Sequence, residues 1–179
     1  MREVEQKQLE RILLETTRWH RAMASDGEKE VRVYLDLKSP HAYLAVRPSL
    51  ELALDFRVYV TFLPYTLSYT KLGVSKTVEA DMQRRPPDAA ADRKARMYYT
   101  AARQYAALQG LPFRSPYRLL DSELAHRCFL FARTQQLEVP FIMQVYLHGW
   151  GSGWREYELE SLAQLTGTLS ALGADVSGL

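Results

Sequence analysis

The chain of 179 residues has one cysteine, Cys128. That excludes an internal disulfide, C-x-x-C redox chemistry and a cysteine-based zinc knuckle. A reducing, cytoplasmic setting fits this but is not required. Excess charge of one sign is also missing: the net charge is +2, too little for a phosphate-tracking basic face. The densest basic stretch, Arg84-Arg85 through Arg93-Lys94-Arg96, is broken by Asp88 and Asp92 and reads as solvated surface, so nucleic acid is not an expected partner. No apolar run is long enough to span a bilayer, and the N-terminus, with Ile12-Leu13-Leu14 amid Glu and Lys, reads as neither signal peptide nor membrane anchor. The four histidines, His20, His41, His126 and His148, stand far apart without metal-ligand spacing. Internal repeats and low-complexity tracts are absent.

What is present is a sequence of alternating periods. Residues 3–24 have the spacing of an amphipathic helix, and Ser25-Asp26-Gly27 ends it. Val31–Leu37 reads as a strand, Pro40 to about Leu54 as a helix that Pro48 should kink or break, and Phe56–Leu63 as a second strand stopped by Pro64. Strand, helix and strand at this spacing make a βαβ unit with parallel strands. Helices are expected over Ala89–Gln109, ended by Gly110, from a cap at Asp121 or Ser122 to about Gln136, and over 157–172. The last carries a stripe of Leu159, Leu162, Thr166, Leu169 and Leu172. Pro86-Pro87-Asp88 is a loop, and Gly149–Gly153 a turn anchored by Trp150 and Trp154. The apolar stretch 141–148 is ambiguous by period.

Ser39-Pro40, at the junction of the first strand and first helix, is the most informative dipeptide. Serine caps a helix by accepting an orphan N–H, and proline suits the first helical position because its missing N–H has no partner there. The junction gathers a hydroxyl, open amides and the positive end of a helix dipole, which together suit an anion or thiolate. His41, in the first turn, is a candidate for substrate contact or proton transfer. Lys38, which adjoins Ser39, reads as a solvated lysine. Tyr65, just past the second strand, lies at the end where open α/β sheets place ligands. Tyr98, Tyr99 and Tyr105 could line an aromatic pocket or pack a helix interface. Cys128 reads as an inert core thiol.

Lys38-Ser39-Pro40-His41-Ala42-Tyr43-Leu44-Ala45, behind an Asp-containing strand, resembles the start of the 2-hydroxychromene-2-carboxylate isomerase and kappa-class glutathione transferase family, relatives of the DsbA group. Later blocks fall in the family's order. These are Tyr98-Tyr99, Tyr105-Ala106-Ala107, Gly110-Leu111-Pro112-Phe113 with Pro116, Ser122–Arg127, Tyr146, Trp150 and Leu172–Asp175. The resemblance covers about residues 31–175. It implies a thioredoxin-like βαβ start with an inserted all-helical domain: an N-terminal helical extension at 1–28, a βαβ unit at 29–67 and a helical region at 68–179. It also implies glutathione as cofactor, with Ser39, Pro40 and His41 holding it and Ser39 stabilising its thiolate. Tyr65, Tyr98, Tyr99 and Tyr105 would shape a pocket for a small aromatic or electrophilic substrate.

Several family features have no counterpart here. The C-terminal strands, a Ser-Asp contact to glutathione and an Asn after the second strand are missing, and Ala101 and Gln104 stand where charged residues are usual. An incomplete sheet is therefore expected: either the chain is a fragment of a longer protein, or the 31–37 edge is covered by the N-terminal extension, a partner or a second copy. The alternative is a non-catalytic interaction protein of the same fold; a homo-oligomer through the sheet edge or helical region suits either reading.

Overall fold

A computed structural model describes residues 29–56, 58–68 and 89–179, together with Lys7 and Arg11, both helical. The expected helix at 3–24, apart from those two positions, and the expected loop at Pro86-Pro87-Asp88 lie outside the described residues. The first strand, β1 (Lys29–Leu35), runs parallel to β2 (Val58–Pro64), in a register from Lys29 opposite Val58 to Leu35 opposite Pro64. Helix α1 (Pro40–Phe56) connects them. Val31, Val33 and Leu35 share one face with Val60 and Phe62, and that face enters the core. Glu30, Arg32 and Tyr34 alternate to the other face and are exposed, as period 2 requires.

Pro48 does not break α1, which runs through it to Phe56. Proline there cannot donate to the Leu44 carbonyl four residues earlier. The Gln109 side-chain amide donates to that carbonyl at 3.1 Å instead. A neighbouring helix thus supplies the bond that the local chain cannot make.

Gln109 lies just past α2 (Ala89–Leu108). Gly110 ends that helix with φ +66°, and Leu111 N–H donates to Ala106 O at 2.8 Å, a left-handed stop that glycine adopts without a Cβ penalty. Helix α3 (Glu123–Thr134) buries Ala125, His126, Cys128, Phe129 and Ala132 along one stripe. The ambiguous apolar stretch resolves as α4 (Glu138–Tyr146), with Pro140 in the first turn where no N–H is needed.

The expected turn around Gly149 is instead a π-helix, Leu147–Ser152. In its wider i→i+5 register, closed by Gly153 N–H to His148 O at 3.0 Å, Gly149 lies against the Trp154 indole so closely that a Cβ would overlap the ring. Trp150 stacks on Phe113 at 5.3 Å and meets Trp154 edge-on at 5.2 Å. Both tryptophans are buried core residues rather than turn anchors. Helix α5 (Leu162–Ala171) starts later than the period suggests, because Ser161 caps it by accepting from Gln164 N–H. Its buried residues are Leu165, Thr168 and Leu169, while Leu162 is exposed.

Hydrophobic residues from the strands and all five α-helices form one continuous core. Among the described residues, no helix is long and apolar enough to cross a membrane.

Candidate functional site

The chain leaves β1 through a tight turn in which Ser39 N–H donates to Asp36 O at 2.9 Å. Ser39 then caps α1: its carbonyl accepts from Tyr43 N–H at 3.2 Å and its hydroxyl oxygen from Ala42 N–H at 3.4 Å. The cap inferred from Ser39-Pro40 is therefore formed. A hydroxyl that accepts from Ala42 keeps its own proton to donate outward, and Ser39 and Pro40 are only half-buried. Among the described residues, no acceptor meets the His41 N–H. The mouth of α1 thus offers a hydroxyl, an open amide and the positive end of the helix dipole.

His41 is exposed, and its ring meets Tyr98 edge-on at 5.9 Å. Tyr65 N–H donates to Leu35 O at 2.8 Å, which places Tyr65 at the strand end that leads to Ser39; its side chain is exposed. Tyr99 points elsewhere: it packs toward Trp150 at 6.3 Å, and burial raises its phenol pKa above the ordinary value. Tyr105 is exposed further along α2. Of the aromatic candidates, the contacts link Tyr98 to His41 and set Tyr65 beside the same strand end, whereas Tyr99 joins the tryptophan cluster.

Beneath the turn lies a group that reading the sequence missed. Asp36 is 2% exposed. Its Oδ1 accepts from Lys38 N–H at 3.1 Å and from the Ser122 hydroxyl at 2.6 Å. Its Oδ2 accepts from Leu67 N–H at 2.6 Å and lies 3.3 Å from the Lys38 ammonium. The Tyr146 hydroxyl donates to the Asp36 carbonyl at 3.2 Å. Lys38 is buried with its carboxylate partner, not solvated, because a charge taken from water must find its counter-charge.

His126 Nε2 lies 3.2 Å from Leu37 N–H and 3.4 Å from Asp36 Oδ1. One nitrogen cannot serve both. We assign the proton to Nδ1, so that Nε2 accepts from Leu37 and Nδ1–H donates to Thr66 Oγ1 at 3.0 Å. Burial alone would raise the Asp36 pKa. Hydrogen bonds from Ser122, Leu67 N–H and Lys38 N–H outweigh that and hold it below the usual carboxylate value.

The signal for this hub was Leu35-Asp36-Leu37 itself, a carboxylate within an apolar run, which must be either exposed or fully paired. The remaining candidates are quieter. Cys128 is buried and its thiol pushed up to about 11, the state of an inert core cysteine. His148 stacks on Tyr157 at 5.1 Å, and burial lowers its pKa. The described residues contain no metal-holding cluster of His, Cys, Asp or Glu. The segment Leu72–Lys76, where an asparagine was sought, lies outside them.

A parallel βαβ unit with a capped serine at the strand–helix junction, followed by a helical region, is a thioredoxin-like α/β fold. The solved structures include a chain of this fold, described as selenomethionine 2-hydroxychromene-2-carboxylate isomerase. It aligns with a TM-score of 0.60 at 20% identity, over 82% of this chain and 66% of the other. The structural alignment shows a shared fold. No protein-family model and no curated protein sequence matches the chain.

Proposed function

We propose that the chain binds glutathione at the mouth of α1 and uses its sulfur on a small aromatic or electrophilic substrate, as an isomerase or a transferase. The observation that carries this reading is the half-buried Ser39 hydroxyl, whose proton remains available beside the open His41 amide. A thiolate placed there gains a hydrogen bond and a favourable dipole, both of which lower the pKa of the parent thiol. In an isomerisation the thiolate adds to a conjugated double bond, the resulting single bond rotates, and elimination returns both the double bond and the thiolate. In a transfer the carbanion formed by the addition takes a proton from solvent instead of expelling the thiolate, and the sulfur stays on the product as a thioether. His41, Tyr98 and Tyr65 border the approach to Ser39, and Tyr105 extends the aromatic surface along α2. The protein described as an isomerase shares this fold, which supports the first branch.

Calorimetric titration of the full chain with glutathione tests the proposal. Binding is expected, with Ser39→Ala weakening it by about tenfold or more, the worth of one hydrogen bond to a charged group. Absence of heat at millimolar glutathione from a folded protein would support the second reading, a non-catalytic interaction protein. The observation favouring that reading is the two-stranded sheet, whose β1 edge faces no other described strand.

A further inference from the structure

The buried His126 ring has its Nε2 between a donor and an acceptor, Leu37 N–H at 3.2 Å and Asp36 Oδ1 at 3.4 Å. Its far side is held by Thr66, whose Oγ1 lies 3.0 Å from Nδ1. One ring position therefore reaches both partners. A neutral ring with its proton on Nδ1 accepts from the amide. A doubly protonated ring has no lone pair left for an amide and can only donate.

We infer that His126 is a proton-driven switch for the turn that carries Ser39, its Nε2 accepting from Leu37 when the ring is neutral and donating to Asp36 when the ring is charged. A solvent proton on Nε2 sets two donors facing each other across the 3.2 Å contact with Leu37, and they repel. Asp36 Oδ1 then becomes the partner, but it already accepts from the Ser122 hydroxyl at 2.6 Å and from Lys38 N–H at 3.1 Å. A carboxylate oxygen has about two acceptor sites, so the charged newcomer displaces the longer bond, from Lys38 N–H. The two residues that precede Ser39 thus both lose their amide partner, while Ser39 N–H is itself held by the Asp36 carbonyl. The turn has two settings, and the proton selects between them.

The titratable groups brought to this network are few. The β1–α1 turn supplies Asp36, the counter-charge an imidazolium needs, and Lys38, which opposes it from 3.3 Å beyond Oδ2. From α4 comes Tyr146, whose hydroxyl donates to the Asp36 carbonyl and which burial keeps protonated. Thr66, after β2, and Ser122, at the head of α3, do not titrate. Glu123 and Arg127 on α3 itself are exposed and paired with each other at 2.6 Å. The switch belongs to the free chain, so it stands or falls apart from the glutathione proposal.

Nuclear magnetic resonance on the full 15N-labelled chain without ligand tests it. Above the titration of the ring, long-range 15N–1H correlation should show the Nδ1-protonated tautomer. The Leu37, Lys38 and Ser39 amide resonances should shift with the same midpoint as the His126 ring. Across that midpoint the protection of Leu37 from hydrogen exchange, corrected for its intrinsic rate, should fall about fivefold, the worth of one hydrogen bond.

Two variants separate the switch from a merely structural histidine. His126→Gln keeps a carbonyl for Leu37 N–H but cannot titrate, so the three amides should stay flat over the same range. Thr66→Val removes the acceptor for Nδ1–H and lets the proton settle on Nε2, so Leu37 at neutral pH should lose the protection that the parent loses only in acid. An Nε2-protonated ring in the neutral parent overturns the inference, as does a ring that never takes a second proton while the chain is folded. It is overturned equally if the three amides do not follow the ring, if they still step in His126→Gln, or if Leu37 keeps its protection in Thr66→Val.

Discussion

Asp36 shows how much one buried carboxylate can organise. Its acceptor oxygens gather donors from its own turn, from the segment after β2 and from the start of α3, and its carbonyl takes the Tyr146 hydroxyl from α4. Asp36→Ala removes the carboxylate 3.3 Å from the buried Lys38 ammonium, a loss of about 3–5 kcal/mol, readable as a lower urea midpoint. The pH dependence follows from the depressed carboxyl pKa. The folded state binds that proton less tightly than the unfolded chain. The stabilisation is therefore complete above the ordinary carboxylate value of 3.8 and is lost as pH falls through the lower folded value. The stability gap between the parent and Asp36→Asn should narrow across that acid range; parallel curves would show that the carboxylate's ionisation does not matter. Its apolar neighbours Leu35 and Leu37 were the one local sign that Asp36 would be buried. The partners that make burial possible, Leu67, Ser122 and Tyr146, are remote in the chain.

At the scale of elements, two helices depend on residues outside themselves. Pro48 costs α1 a hydrogen bond, and Gln109 from beyond α2 replaces it. Gln109→Ala should therefore destabilise by about 1 kcal/mol, and a double-mutant cycle with Pro48→Ala should show coupling, because alanine restores a backbone donor for Leu44. Additive losses would refute that link. The π-helix depends on Gly149, whose missing Cβ admits the Trp154 ring. Gly149→Ala should cost about 1–3 kcal/mol or more through overpacking, seen as a fall in thermal midpoint. Gly149 was legible as a punctuation mark, but a turn and a π-turn share that mark. Which one forms depends on the indole packed against it. The start of α5 shows the reverse case: Ser161 is a local cap, yet the leucine period running through it suggested an earlier start.

At the scale of the whole molecule, the site and the core are one construction. The turn carrying Ser39 rests on Asp36, which is tied to α3 and α4. Loosening Ser122 should therefore be felt at the mouth of α1, on a different part of the chain. Ser122→Ala removes the shortest hydroxyl contact to the carboxylate, at 2.6 Å. It should speed hydrogen exchange at Leu37 and Ser39 as well as at the start of α3, and a change confined to α3 would disprove the coupling.

Local order along the chain was enough to determine the βαβ unit, its parallel sense, the Ser39 cap, the Gly110 stop and the helical character of the rest, because periodicity and capping act between neighbours. Tertiary structure alone decided that Lys38 is buried, that Pro48 is tolerated, that Tyr98 meets His41 while Tyr99 turns to Trp150, and that Asp36 underlies the site. Each of those outcomes depends on groups brought together across long stretches of chain, where desolvation makes a buried polar atom depend on its partner.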